Sequence, residues 1–294
     1  MLEGLVTKAQ DHGVAAIVLR QLVYDSDFTA LSDIRLKVQA SIVMTLKLRS
    51  VAAEISQFIA SENLDATIVK GPVFANMLYK HRGDRPFTDI DVLCTDDARI
   101  RLGAFLSERG FEQYRRAVFD KSVANQEEKW VRRDVPAEIV ELHGNLVHYP
   151  GLRRQASFGW RELHSIDPAN PRAPLSLFFT AVVHASLGHK FHQLRLLVDI
   201  LQAYRNLDAS DRAAILDLSR DLRLKIETAN SLRLVGEIFG QQDALDLGRR
   251  LSPNLSWHIT RKVLTAQSVL NAPTHGSSKL HRHGFRWMQR AVFR

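Results

Sequence analysis

Around Leu64 the spacing of apolar residues changes from helical to strand-like, and near Leu175 it changes back. From Leu2 to Asn63 the pattern is helical. Leu36, Val38, Ile42, Leu46, Leu48, Ile55 and Ile59 keep near one face, which predicts a long amphipathic helix from Leu31 onward. Between Leu64 and His143 the apolar runs are short and broken by turns. Ala66–Val69 reads as a buried strand and Thr88–Cys94 as a second, with three more expected near Glu112–Phe119, Glu128–Arg133 and Ala137–Leu142. Gly71-Pro72 opens a helix to about Tyr79, since proline suits the first helical position. Asp96 and Asp97 suit the positive end of a further helix, which Gly110 stops. After the proline-rich stretch Asp167–Pro174, helices are expected over Leu175–Leu187, His192–Asn206, Asp211–Arg220, Leu222–Phe239 and Gln242–Leu251. The fold class is therefore α+β, a small mixed β-sheet flanked by N-terminal and C-terminal helical regions. The corresponding regions are 1–63, 64–166, 167–270 and a basic tail at 271–294.

Composition narrows the function. The richest apolar run, Leu175–Leu187, is too short to span a bilayer and holds His184, so no integral membrane association is expected. The start, MLEGLVTKAQ, carries Glu3 and no apolar signal segment, and the single cysteine, Cys94, excludes an internal disulfide. The expected compartment is cytoplasmic. A formal charge of +8 suits a protein that meets polyanions, although a plain solubility bias gives the same figure. Part of the excess is local, because 271–294 holds five Lys/Arg and no Asp or Glu. There Arg282, Arg286, Arg290 and Arg294 recur every fourth residue, while Phe285, Met288 and Val292 form an apolar stripe. A basic amphipathic helix is expected after a linker at Asn271–Ser278. It is too short to hold alone, and packs on this protein or a partner in preference to a membrane.

The chemistry concentrates on Thr88-Asp-Ile-Asp-Val-Leu-Cys94. On a strand, Asp89 and Asp91 lie two apart and point to one face. Two carboxylates on one face repel unless a cation lies between them, and Mg²⁺, with its preference for oxygen ligands, is the natural guest. A single D-x-D also arises by chance on solvated strand edges. Two neighbours add to it. Ala66–Val69 delivers Lys70-Gly71 to a helix start, where free N–H groups favour phosphate, although alone this is an ordinary turn. In Glu138–His143, Ile139, Glu141 and His143 share one face, so Glu141 is a third carboxylate, a base for an attacking hydroxyl or a further metal ligand. His143 is expected to orient a carboxylate or the backbone. Removing both aspartates is expected to leave the metal-free fold intact, and even to relieve repulsion.

The series Lys70-Gly71-Pro72, Leu78-Tyr79, Arg85-Pro86, Asp89-Ile90-Asp91, Arg109-Gly110-Phe111 and Glu141-Leu142-His143 resembles the uncharacterised bacterial nucleotidyltransferase family of the DNA polymerase β-like superfamily, over roughly Leu2 to Tyr204. The resemblance implies a sheet of the polymerase-β nucleotidyltransferase type. It also implies that Asp89, Asp91 and Glu141 hold Mg²⁺ (or Mn²⁺), that Lys70 and Gly71 meet the phosphates of an NTP, and that Arg85 holds phosphate or braces the carboxylates. The implied reaction moves a nucleoside monophosphate from the NTP to a hydroxyl or phosphate acceptor and releases pyrophosphate. The acceptor is a small molecule, a peptide or protein, or an RNA end. A catalytically silent nucleotide-binding or scaffold module, and an RNA-binding protein that uses the basic tail, are the rival readings.

His184, His189 and His192, followed by Asp199, form a further cluster. His189 and His192 are spaced so that one helix face presents both, while Gly188 interrupts the helix before them. The resemblance has a histidine-rich helix here, so His184, His189 and Asp199 join His143 as possible supporting residues. Trp130, Trp160 and Phe158 are candidates to stack a base, against an ordinary place in the core.

Overall fold

In a computed structural model of the chain, residues 2–22, 32–114, 127–153, 155–251, 255–271 and 276–291 are described. They gather into two compact units. The first comprises Met1–Gln10, Val14–His148 and Gly159–Arg161; the second comprises Asp11–Gly13, Tyr149–Phe158 and Glu162–Arg294.

The first unit opens with helices α1 (Leu2–Asp11), α2 (Ala15–Leu22) and α3 (Ser32–Ser61). Val6 and Leu19 meet in a small core, with Val18, Leu22 and Val38 packed against it. The long helix is present as expected, but its buried face differs. Thr45, Leu48, Val51, Ala52 and Ile55 are buried, while Leu36 and Leu46 are exposed. Spacings of three and four place 45, 48, 52 and 55 on one stripe, and Leu46 falls outside it.

Five strands follow: β1 (Ala66–Ile68), β2 (Ile90–Cys94), β3 (Phe111–Gln113), β4 (Glu127–Arg132) and β5 (Ile139–His143). They form one sheet in the order β1-β2-β5-β4-β3. β2 and β5 run parallel, and the other pairs are antiparallel, so the sheet is mixed. The part of the expected third strand beyond Tyr114 lies outside the described residues. Between β1 and β2 stands the short helix α4 (Pro72–Met77), with Pro72 in its first turn. Six residues cannot hold a helix unaided; burial of Val73, Phe74 and Ala75 anchors it. Between β2 and β3 lies α5 (Asp96–Glu108), whose first turn carries Asp96 and Asp97 and whose Thr95 side chain caps the Ala98 N–H. Gly110, at φ +78°, turns the chain out of that helix, as its position in the sequence predicts.

Register gives the sheet two unlike faces. Ile90, Val92, Val140 and Leu142 are fully buried, and Trp130 packs on the same side against Gly103 of α5. A Cβ at Gly103 would stand 3.0 Å from the Trp130 ring, so this half-buried tryptophan packs closely on α5. On the other face Asp91 pairs with Glu141, Leu93 with His143, Glu127 with His143, and Lys129 with Glu141. Residues paired across a sheet share a face, so the polar groups converge there.

The second unit is helical: α6 (Pro150–Arg153), α7 (Trp160–Ile166), α8 (Pro174–Val183), α9 (Leu194–Arg205), α10 (Ala209–Asp221), α11 (Lys225–Phe239), α12 (Gln242–Arg250), α13 (Leu255–Val263), α14 (Ala266–Leu270) and α15 (Gly276–Ala291). Phe158, Phe178, Phe179, Phe191 and Tyr204 are among its largest buried side chains, which makes Phe158 a core residue. The stretch expected as a basic tail packs on its own protein. In α15, Phe285 and Met288 are buried, Phe285 lies 5.6 Å from Phe191 ring to ring, and Gln289 donates to the buried Glu227 at 2.8 Å. Arg294 and Val292 lie outside the described residues.

Candidate active site

The polar face of the sheet is built by three strands and the turn after β1. Val69 N–H donates to the Asp91 carbonyl at 3.0 Å, which carries Lys70 past the end of β1 and back over β2. The Lys70 Nζ then stands 2.7 Å from Asp91 Oδ1, with both side chains almost fully buried. His143, fully buried at the end of β5, brings its Nε2 to 2.9 Å from the same oxygen. Glu141, opposite Asp91 in the parallel register, lies with Oε2 3.7 Å from His143 Nε2 and with Oε1 3.8 Å from Lys129 Nζ.

Electrostatics follow from this crowding. Burial alone would raise the proton affinity of Asp91, but the Lys70 ammonium and the His143 hydrogen bond outweigh it, and the carboxyl is held well below the usual range. Burial is also the largest influence on His143 and lowers its affinity against the pull of Asp91. The ring lies within hydrogen-bond distance of the Asp91 carboxylate through Nε2. Glu141 goes the other way. Burial first, then the charges of Asp91, Glu127 and Asp89, push its carboxyl up to about 7. Glu127 is depressed to about 2, chiefly by a hydrogen bond from His148, whose Nδ1 lies 2.8 Å from Glu127 Oε2.

Several expected residues stand differently from the sequence reading. Asp89 precedes the strand, which begins at Ile90, so the two-residue alternation stops one position short of it. Among the described residues, the ligand atoms within 4.8 Å of one another here come from Asp91, Glu141 and His143, and Asp89 stands outside that set. It is half-buried and still contributes to the field on Glu141. Lys70, expected to face phosphate, is the counter-ion of Asp91. That pairing weighs against the expected relief of repulsion on removing both aspartates, because Lys70 would be left buried without its main partner. Gly71 has a local structural cause: its φ is +46°, and a Cβ there would lie 3.1 Å from the Asp89 carbonyl oxygen. Arg85 is buried, with Nη1 donating to the Pro86 carbonyl at 3.0 Å.

His184, His189 and Asp199 belong to the second unit. His184 opens a π-helical turn, His184–Gly188, and its ring meets that of His189 edge to face at 4.6 Å. His189 and His192 do not share a helix, since α9 begins only at Leu194; Lys190 and Phe191 between them both have φ +54°. A cavity of about 320 Å³ there is lined by His189, Lys190, His192 and Arg282. Asp199 is buried.

Glu127 and His148, both on the polar face, went unmarked in the sequence. Glu127 lies next to residues outside the described set and carries no motif. Only its register opposite His143 brings it in. His148 follows His143 by five residues, a spacing that signals nothing by itself. The turn that returns it is fixed by Asn145, whose Oδ1 accepts from Val147 N–H at 2.8 Å.

Oxygen donors dominate around Asp91 and Glu141, where burial first, and then repulsion from Asp91, Glu127 and Asp89, pushes the Glu141 carboxyl up to about 7. That donor set fits a hard divalent cation, which would relieve the repulsion. Among the described residues no helix is long and apolar enough to cross a membrane. No curated protein and no solved structure matches the chain. A family model described as an uncharacterised nucleotidyltransferase matches residues 2–240, most of the chain. With that match over a mixed sheet whose polar face gathers these carboxylates, the chain belongs to this family of nucleotidyltransferases.

Proposed function

We propose that the protein transfers a nucleoside monophosphate from an NTP to a hydroxyl or phosphate acceptor, with Mg²⁺ or Mn²⁺, and releases pyrophosphate. The observation that carries this reading is the opposition of Asp91 and Glu141 across the parallel strands, with Asp89 at the mouth of β2. In the transfer the acceptor oxygen bonds to the α-phosphorus and the α–β bridge breaks towards pyrophosphate. For a hydroxyl acceptor, the proton passes to Glu141. A carboxylate with an affinity near neutrality is suited to receive it. Asp91 and Glu141, with Asp89 beside them, would hold the cation, which would supply charge neutralisation at the phosphates when bound. His143 fixes the Asp91 carboxylate through Nε2. Lys70 balances Asp91 in the free protein and offers its charge to the triphosphate when substrate enters. Gly71 keeps the turn beside it narrow, and the buried Arg85 donates to the Pro86 carbonyl in the segment that leads to Asp89. The cytoplasm, which supplies NTP and divalent cation, is the compartment we propose.

One observation favours a second reading. Lys70 already occupies Asp91 Oδ1, as it would in a nucleotide-binding module that has no catalytic turnover. Consumption of NTP separates the two. The protein is incubated with each α-labelled NTP, Mg²⁺ or Mn²⁺, and cell extract, and the label is followed. Transfer of label, lost in Asp89→Asn/Asp91→Asn, is the expected result. Turnover that survives this double substitution refutes the assignment.

A further inference from the structure

His143 has two ring nitrogens in two different settings. Nε2 lies 2.9 Å from Asp91 Oδ1, and Nδ1 is the ring's second ligating atom. That Nδ1 is fully buried and has no hydrogen-bond partner. It stands 4.0 Å from Glu127 Oε2, beyond hydrogen-bond distance. His148 Nδ1 stands 2.8 Å from the same carboxylate oxygen, and one ligand atom from each of the three residues lies within 4.8 Å of the others.

We infer that His143 Nδ1, Glu127 and His148 form a second metal site, for one divalent ion of the zinc class, separate from the carboxylate site on the other side of the imidazole. Two imidazole nitrogens and one carboxylate oxygen suit zinc or cobalt, whereas the oxygen-rich set at Asp91 and Glu141 suits magnesium. A histidine that ligates through one nitrogen commonly donates its other N–H to a carboxylate, and Asp91 takes that part here. The donors come from the paired ends of β4 and β5 and from the Asn145 turn, so two of the three sit on rigid elements. Ligands about 2 Å from a tetrahedral ion lie roughly 3.3 Å apart. The 4.0 Å gap must therefore close slightly and the 2.8 Å contact open, both within reach of the Glu127 side chain. The ion takes the place of the His148 Nδ1 proton, and a fourth position stays open to water. This inference goes beyond the transfer reaction and does not depend on it.

Cobalt reports the site directly, because four-coordinate Co²⁺ absorbs strongly in the visible. Full-length protein stripped with chelator should bind one Co²⁺ with such a band, displaced by Zn²⁺ and unaffected by excess Mg²⁺. Glu127→Gln and His148→Gln should each weaken binding by at least ~10-fold, with far-UV circular dichroism unchanged. Asp89→Asn/Glu141→Gln, which dismantles the carboxylate site, should keep the band. His148 is partly exposed, so its variant tests the site even where Glu127→Gln disturbs folding. The inference is overturned if wild type shows no four-coordinate band. It is equally overturned if the band survives both Glu127→Gln and His148→Gln, or disappears in Asp89→Asn/Glu141→Gln, since the ion would then sit elsewhere.

Discussion

Replacing Glu141 by glutamine removes one negative charge from a face where Asp91, Glu127 and Asp89 already repel it. In the metal-free protein the Glu141 carboxyl is pushed up to about 7, from an ordinary glutamate value of 4.5. The folded state therefore binds this proton more tightly than the unfolded chain does, and stability falls as pH rises from about 4.5 to about 7. Below that window the group is neutral in both states and the substitution should change little. Above it the charged form burdens only the fold. At about 1.4 kcal/mol per tenfold the ceiling is near 3 kcal/mol. The side chain keeps 17% exposure and Lys129 stands 3.8 Å away, so a gain of about 2 kcal/mol for Glu141→Gln at pH 8 is the working figure. Urea unfolding in the presence of chelator, followed by tryptophan fluorescence from pH 4 to pH 8, measures it. A difference between variant and wild type that is flat with pH, or a wild type that is the more stable at pH 8, refutes the placement of Glu141 among these charges.

Three further outcomes follow from particular contacts. Asp91→Asn should cost roughly 3 kcal/mol because it leaves the Lys70 ammonium buried beside a neutral amide. Lys70→Met/Asp91→Asn should recover part of that loss, and additive effects in a denaturation cycle would deny the pair. Gly71→Ala should cost about 1–2 kcal/mol, since it forces a side chain onto a positive φ and a Cβ to 3.1 Å from the Asp89 carbonyl; a melting temperature equal to wild type would contradict that geometry. Phe285→Ala should cost about 3 kcal/mol by opening a cavity against Phe191, whereas an unchanged unfolding midpoint would mean that α15 is not part of the second unit's core.

What the sequence disclosed and what it withheld divide along one physical line. Local chemistry was readable: Pro72 at a helix start, Asp96 and Asp97 in a first turn, Gly110 at a helix end, and the change of apolar period at Leu64 all reflect interactions within a few residues. The mixed sheet followed from those signals. Long-range register was not readable, and the site depends on it. Glu127 enters only because it lies opposite His143, and Lys70 meets Asp91 only because Val69 hydrogen-bonds across to β2. The error over α3 has a related origin. A stripe drawn through Leu36 and Leu46 satisfies apolarity, but burial selected the stripe that carries Thr45, whose hydroxyl lies within hydrogen-bond reach of Phe87 across the packed face. Lys70 shows why residue type alone leaves a neighbouring ion pair unseen. A lysine at a strand end beside a carboxylate pair suits phosphate when the strands are considered singly. Once they are paired, its nearest unmet charge is Asp91, and burial of both groups makes that pairing costly to break.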